Sequence, residues 1–136
     1  MNNNISVVLL GAGSSRRFKS SQIKQNVIIN KVSILNHSRL FFNKYFSESN
    51  IFIVSNKKVV INKLKNNENV IYGSSSRLKS LHVALENIFQ NNLQTKYTLI
   101  HDVARPILNI NDIKKLIISM KPGIDASTLG YPLTNA

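Results

Sequence analysis

The sequence has no cysteine. That excludes a disulfide framework, a thiolate metal site and a cysteine nucleophile, and it fits a reducing compartment, so a cytoplasmic setting is expected. Glycine and proline are sparse, at 5 and 3 of 136 residues, while hydrophobic residues make up 43%. The chain is therefore not low-complexity, collagen-like or disordered, and a single folded domain over 1–136 is the expectation. Long apolar runs are missing as well. The longest near the N-terminus is Val7-Val8-Leu9-Leu10, with no basic region before it. It is far shorter than the ~20 residues that span a bilayer and does not resemble a signal sequence, so no membrane association is expected.

Acidic residues are scarce: 6 Asp+Glu stand against 18 Lys+Arg, for a net charge of +12. Such a field favours polyanions, whether nucleic acid, nucleotides, phosphorylated metabolites or anionic lipid. A compositional explanation competes, because the 13 lysines accompany 19 asparagines and 17 isoleucines, the joint excess of an AT-rich genome. No Lys/Arg block reaches the length of a basic tail. Aromatic and basic residues are not interleaved on any strand, which counts against a stacking platform for nucleic acid.

What the sequence does contain is alternation. Apolar runs bounded by turn residues recur at Ile5 to Leu10, Ile51 to Val54, Asn69 to Tyr72, Tyr97 to Ile100 and Ile124 to Leu129, and each predicts a short buried strand. Between them, Ile34 to Phe46, Val59 to Leu64, Leu78 to Phe89 and Ile113 to Met120 have helical spacing, with Ser33, Ser76 and Asn111 as expected N-caps. Phe41, Phe42, Tyr45 and Phe46 crowd one helix and read as core. Strands alternating with helices imply an α/β fold with an open parallel sheet covered on both faces. Ligands of such sheets bind beyond the carboxyl ends of the strands.

Three segments at predicted strand ends can carry chemistry. Gly11-Ala12-Gly13-Ser14-Ser15-Arg16-Arg17 places small residues and arginines after the first strand, where backbone N–H groups and guanidinium forks suit a triphosphate. It lacks the Gly-Lys-Ser/Thr of a Walker A loop and the third glycine of a dinucleotide fingerprint. A plain strand-to-helix turn with solvated arginines is the alternative. Lys24 could fold back over the same phosphates. Gly73-Ser74-Ser75-Ser76-Arg77, with Ser80 a turn into the helix, suits an anion or the polar edge of a base, or ordinary capping by Ser76. His101-Asp102-Val103-Ala104-Arg105-Pro106 offers an acid for a divalent metal or a ribose hydroxyl and an arginine for a second phosphate. There the alternative is a buried Asp102–Arg105 pair pinning the loop, with His101 a packed strand-end residue.

In order and position these segments resemble one family, the 2-C-methyl-D-erythritol 4-phosphate cytidylyltransferases of isoprenoid biosynthesis. That family's opening pattern, Ala-Ala-Gly-x-Gly-x-Arg followed by Pro-Lys-Gln, aligns without a gap on Gly11 to Arg17 and Ile23-Lys24-Gln25. The similarity continues through Ile34-Leu35-Asn36-His37-Ser38. Its Gly-Gly-x-x-Arg-x-x-Ser segment looks like Gly73 to Ser80, and its His-Asp-Ala-Ala-Arg-Pro signature looks like His101 to Pro106.

The resemblance implies a Rossmann-like, three-layer nucleotidyltransferase fold with a mostly parallel sheet. It also implies transfer of CMP from CTP to 2-C-methyl-D-erythritol 4-phosphate with Mg²⁺ and release of pyrophosphate. Arg17 and Lys24 match the family's catalytic pair. Gly11, Ala12 and Gly13, continuing through Ser14 and Ser15, fall with Ser74, Ser75 and Ser80 where the family holds cytidine and triphosphate. Asp102 falls at the ribose and metal, and Arg105 at the sugar phosphate.

Several positions depart from the family pattern. Ser15 and Ser74 replace glycines, Ile23 replaces a proline, Ser75 stands where an acid is common, and Asn135-Ala136 falls on an Asp-Thr pair. The match covers about the first half of a family member, so the C-terminal part of the fold is absent. That implies part of a longer protein, of a bifunctional fusion, or a truncated inactive homologue, with a homodimer expected for the full-length form. Two alternatives stay open: a cytidylyltransferase for another polyol phosphate such as ribitol 5-phosphate, and a basic nucleic-acid-binding module.

Overall fold

The computed structural model describes residues 4–13, 23–56, 69–91 and 95–130. The chain divides into two compact units, Met1–Pro106 and Ile107–Ala136.

The first unit is built on a parallel sheet of β1 (Ile5–Leu10), β4 (Ile51–Ser55), β5 (Val70–Tyr72) and β6 (Tyr97–Asp102), in the order β5-β4-β1-β6. Apolar runs free of charge produce the two central strands, which are buried on both faces. All of Ile5 to Leu10 and all of Ile51 to Ser55 are buried. Pairing of Leu10 with both Val54 and Asp102, and of Ser55 with Tyr72, aligns the four carboxyl ends along one edge of the layer. The chain visits β4 and β5 on one side of β1 and β6 on the other, so the order reverses beside β1, where open α/β sheets bind ligands.

Helix α1 (Ile34–Asn43) begins at Ser33, whose Oγ accepts from the Asn36 N–H at 3.3 Å; α2 (Arg77–Gln90) begins at Ser76, whose Oγ accepts from the Lys79 N–H at 3.1 Å. Both caps are the predicted ones. Val8, Leu10, Phe52, Val54 and Ile71 form one core layer with Ala84 and Ile88 of α2. Phe42 of α1 meets the ring of His101, whose register partner Leu9 points to the opposite face from Val8 and Leu10. The helices therefore cover the two faces, as the three-layer expectation requires. Of the aromatic cluster, Phe42 and Phe46 are buried, while Phe41 and Tyr45 pack beside them half-exposed.

A hairpin of β2 (Ile28–Ile29) and β3 (Val32–Ser33) precedes α1, and it turns through Asn30 and Lys31 at φ of 49° and 66°. The Ile29 carbonyl accepts a hydrogen bond from His37 Nε2 at 2.7 Å, fastening the hairpin to α1.

The second unit holds α3 (Ile110–Ser119). Its cap is Asn109, whose side chain accepts from the Asn111 N–H at 2.9 Å, so Asn111 lies inside the helix and is not the N-cap expected of it. The strand expected over Ile124 to Leu129 does not form. Residues 121–130 are exposed and carry no regular structure, because a strand needs another strand to pair with and none among the described residues pairs with these. The helix expected over Val59 to Leu64 lies outside the described residues.

Candidate active site

The aligned strand ends are joined to one another just beyond the sheet. Gly11 N–H donates to the Val54 carbonyl at 2.7 Å, Gly73 N–H to the Ser55 carbonyl at 2.8 Å, and Val103 N–H to the Leu10 carbonyl at 3.2 Å. Each candidate segment is thus held by the strand next to it.

The first glycine is closely surrounded. A Cβ at Gly11 would sit 3.2 Å from the Val54 carbonyl oxygen and 3.3 Å from side-chain carbons of both Leu35 and Val103. Neither Gly11 nor Gly13 has positive φ, so the left-handed region is not what glycine supplies at either position, and the space around position 11 is tight for a side chain. The two carbonyls that follow are fastened by side chains from elsewhere in the chain. Asn56 Nδ2 donates to the Ala12 carbonyl at 3.3 Å, and Gln25 Nε2 donates to the Gly13 carbonyl at 3.0 Å.

Gly73 is more tightly constrained. A Cβ there would overlap the Ala12 methyl and lie 2.9 Å from Ser80 Oγ. The buried Ser80 hydroxyl accepts from the Ser74 N–H at 3.0 Å and lies 3.4 Å from the Ser74 carbonyl, closing the turn that leads into α2. Ser74 and Ser75 remain exposed at the mouth of that turn. The first and second candidate segments therefore meet where Ala12 packs against Gly73.

The third segment starts inside β6. The strand runs two residues beyond its predicted end because His101 pairs with Leu9 and Asp102 with Leu10. Asp102 Oδ1 accepts from the Ala104 N–H at 3.1 Å, and the Arg105 N–H donates to the Asp102 carbonyl at 3.0 Å, a tight turn that carries its own fastening. The ion pairs among the described residues are Arg39–Glu48, His82–Glu86 and Lys115–Asp112. None joins Asp102 to Arg105, so the pinning pair considered above does not form, and Arg105 is exposed.

His101 is the packed residue expected of it. Its ring centroid lies 5.5 Å from that of Phe42, and its Nε2 is 3.4 Å from Ser38 Oγ. Burial holds the imidazole below its ordinary value, against the Asp102 carboxylate and a hydrogen bond with the Arg105 backbone, which favour the charged ring.

The structure thus brings Gly11, Ala12, Gly13, Ser74, Ser75, Ser80, Asp102 and Arg105 to the carboxyl edge of one sheet. Lys24 opens a 3-10 turn, Lys24–Asn26, whose next residue, Gln25, reaches Gly13. Arg17, Ser14 and Ser15 lie outside the described residues, as do Asn135 and Ala136. Gln25 and Asn56 were not singled out as site residues. Asn56 had one available signal, its place directly after a strand.

Among the described residues no three His, Cys, Asp or Glu side chains gather as a metal site. Asp102 with one oxygen already accepting a backbone N–H fits a single carboxylate ligand to an ion held mainly by phosphate oxygens, as is usual for Mg²⁺. No helix among the described residues is long and apolar enough to cross a membrane.

Comparison with known proteins points the same way. A sequence model described as IspD, 2-C-methyl-D-erythritol 4-phosphate cytidylyltransferase, matches residues 5–136. The enzyme of that name from Wigglesworthia glossinidia brevipalpis is 32% identical over 125 residues, covering 87% of this chain and 53% of the relative. The bifunctional enzyme IspD/IspF of Pelagibacter ubique is 34% identical over 120 residues, covering 84% of this chain and 31% of the relative. The solved structure of the bifunctional IspDF from Campylobacter jejuni superposes with a TM-score of 0.73 at 25% identity, covering 86% of this chain and 30% of that one. The chain thus spans about half the length of the single-function relative and about a third of the bifunctional ones.

Proposed function

This chain belongs to the 2-C-methyl-D-erythritol 4-phosphate cytidylyltransferase family, and from that we propose that it binds CTP at the carboxyl edge of its sheet and transfers CMP to 2-C-methyl-D-erythritol 4-phosphate. The observation that carries this reading is the meeting of the three predicted segments at one edge of the layer, hydrogen-bonded strand to strand, with Ala12 against Gly73 and Asp102 beside Leu10.

The acceptor is a phosphate monoester, already an anionic nucleophile, so no general base is needed. Its oxygen attacks the α-phosphorus of CTP, the bond from that phosphorus to the bridging oxygen of the β-phosphate breaks, and pyrophosphate leaves. Catalysis is then positioning and charge stabilisation. The loop Gly11 to Ser15 holds the triphosphate through backbone N–H groups. Ser74, Ser75 and Ser80 hold or shape the cytidine end. Lys24 and Arg17 neutralise charge as it grows on the phosphates, Asp102 holds the ribose and contributes one ligand to Mg²⁺, and Arg105 meets the acceptor phosphate. Mg²⁺, when bound, supplies charge neutralisation across the phosphates. A cytoplasmic homodimer is the setting we assign to the protein.

Calorimetric titration with CTP and Mg²⁺, with ATP and GTP in parallel, tests the nucleotide half of this reading. Pyrophosphate release with 2-C-methyl-D-erythritol 4-phosphate or ribitol 5-phosphate as acceptor tests the rest. Selective CTP binding, and release with the first acceptor that falls at least about 100-fold in Lys24→Ala and in Arg17→Ala, is the expected result. A folded chain that binds no CTP overturns it.

A further inference from the structure

We propose that Gln25 and Asn56 are positioning residues of this site, their side-chain amides holding the Gly13 and Ala12 carbonyls so that the loop presents peptide N–H groups to the phosphates of a nucleotide. The proposal rests on the nucleotide-binding reading above.

A loop that binds phosphate through its backbone has to settle one question at each peptide unit: which end faces the ligand. The carbonyl oxygen carries partial negative charge and repels a phosphate, while the N–H attracts it. In a trans peptide the two are antiparallel, and no described peptide bond is cis. Fixing a carbonyl on one side therefore aims the N–H of the same unit to the other side. Asn56 Nδ2 takes the Ala12 carbonyl at 3.3 Å, which orients the Gly13 N–H. Gln25 Nε2 takes the next carbonyl of the loop, that of Gly13, at 3.0 Å. Gly13 is exposed, and a Cβ on it would lie 3.6 Å from Gln25 Nε2, on the side of the loop that the amide holds.

The two donors are themselves held. Gln25 is only 6% exposed, so its amide sits in a buried setting where a hydrogen bond is hard to replace with water. The Asn56 backbone carbonyl accepts from Ser55 Oγ at 3.1 Å, and Ser55 in turn receives the Gly73 N–H on its own carbonyl. Asn56 thereby links the first loop to the strand end that supports the second. Gln25 adds a further constraint, because it is the residue after Lys24 on the same 3-10 turn. The bond that aims the loop also sets the distance between that loop and the turn bearing the lysine. Neither residue need touch the ligand, so both act through the loop.

The test uses neutral, near-isosteric replacements, Gln25→Met and Asn56→Leu, which remove the donor without adding charge beside the phosphates. Affinity for CMP and for CTP, each with Mg²⁺, is measured by calorimetry alongside the melting temperature. The expected result is a loss of about tenfold for CTP in each variant and a change within about twofold for CMP, so that the CTP-to-CMP affinity ratio falls. Equal losses for the two nucleotides would mean a general structural role and would overturn the proposal, as would unchanged binding of both. Should Gln25→Met fail to fold, Asn56→Leu at its half-exposed position carries the test by itself. Wild-type chain that binds neither nucleotide would overturn the functional reading and this one with it, whereas wild-type binding with an unchanged ratio in both variants would overturn this one alone.

Discussion

Strands β1 and β6 lie side by side, parallel and in register, and both lead into segments of the candidate site at the same level of the sheet. Their construction differs. Every residue of β1 is buried, and the loop after it is anchored by amides from residues 12 and 44 positions away. No residue of β6 is fully buried, and the turn after it is closed by Asp102 on the Ala104 and Arg105 N–H groups. The comparison teaches that a rigid strand does not by itself organise the loop it supports. Gly11 to Gly13 depends on side chains from elsewhere in the fold for its shape, whereas the turn at Asp102 to Arg105 is closed by its own residues and tied to β1 through the Val103 N–H on the Leu10 carbonyl.

The contrast is open to attack at several points. The largest effect should come from the core of β1. Leu9→Ala removes a fully buried side chain and is expected to lower unfolding free energy by about 2–5 kcal/mol. Leu99→Ala, on half-buried β6, should cost clearly less, and equal midpoint shifts in urea would break the comparison.

Next comes the contact that joins the two glycine segments. Gly73→Ala forces the Ala12 backbone to move, since the overlapping atom is a Cβ and not the end of a flexible side chain. A loss of about 1–3 kcal/mol is expected, together with weaker CTP binding, read by thermal unfolding and calorimetry on the same preparation. Wild-type stability in this variant would show that the segments are not packed as described.

A smaller stability effect with a clear functional one is expected from Asp102→Asn. The amide oxygen can still accept the Ala104 N–H, so the turn should survive within about 0.5 kcal/mol, while loss of the charge weakens CTP binding in Mg²⁺. A large drop in melting temperature would mean that the turn is not self-sustaining in the way proposed.

The smallest effect is a pH slope. Burial lowers the folded-state value of His101 below 6.5, so as pH falls the unfolded chain takes up this proton first. The stability contributed by the neutral ring is present above pH 6.5 and declines as pH drops from there toward the folded-state value. In metal-free chain, His101→Asn should flatten that part of the stability profile, and an unchanged profile would remove the burial assigned to this ring.

Much of this protein could be read from its sequence, because the relevant signals are local. Apolar runs between turn residues located β1, β4, β5 and β6, and helical spacing with Ser33 and Ser76 before it located α1 and α2. Backbone conformation and capping depend on a few neighbouring residues, and those residues were in view. The candidate glycines, serines, Asp102 and Arg105 were likewise found by their place at strand ends. Where local signals competed, the outcome belonged to the folded chain. Asn109 took the cap expected of Asn111, and Asn30, a residue type that tolerates the left-handed region, made a left-handed turn with Lys31, which does not favour it. Ile124 to Leu129 stayed out of any described strand, since a strand exists only when another is beside it. The roles of Gln25 and Asn56, and the need for glycine at 73, are decided by atoms far apart in the chain that folding brings within 3.3 Å or into overlap. Sequence by itself determined the four strands of the sheet, α1, α2 and the candidate site loops, because propensity and pattern act over short distances. Only the tertiary structure decided how those loops are aimed, because hydrogen bonds and van der Waals contact depend on distance through space.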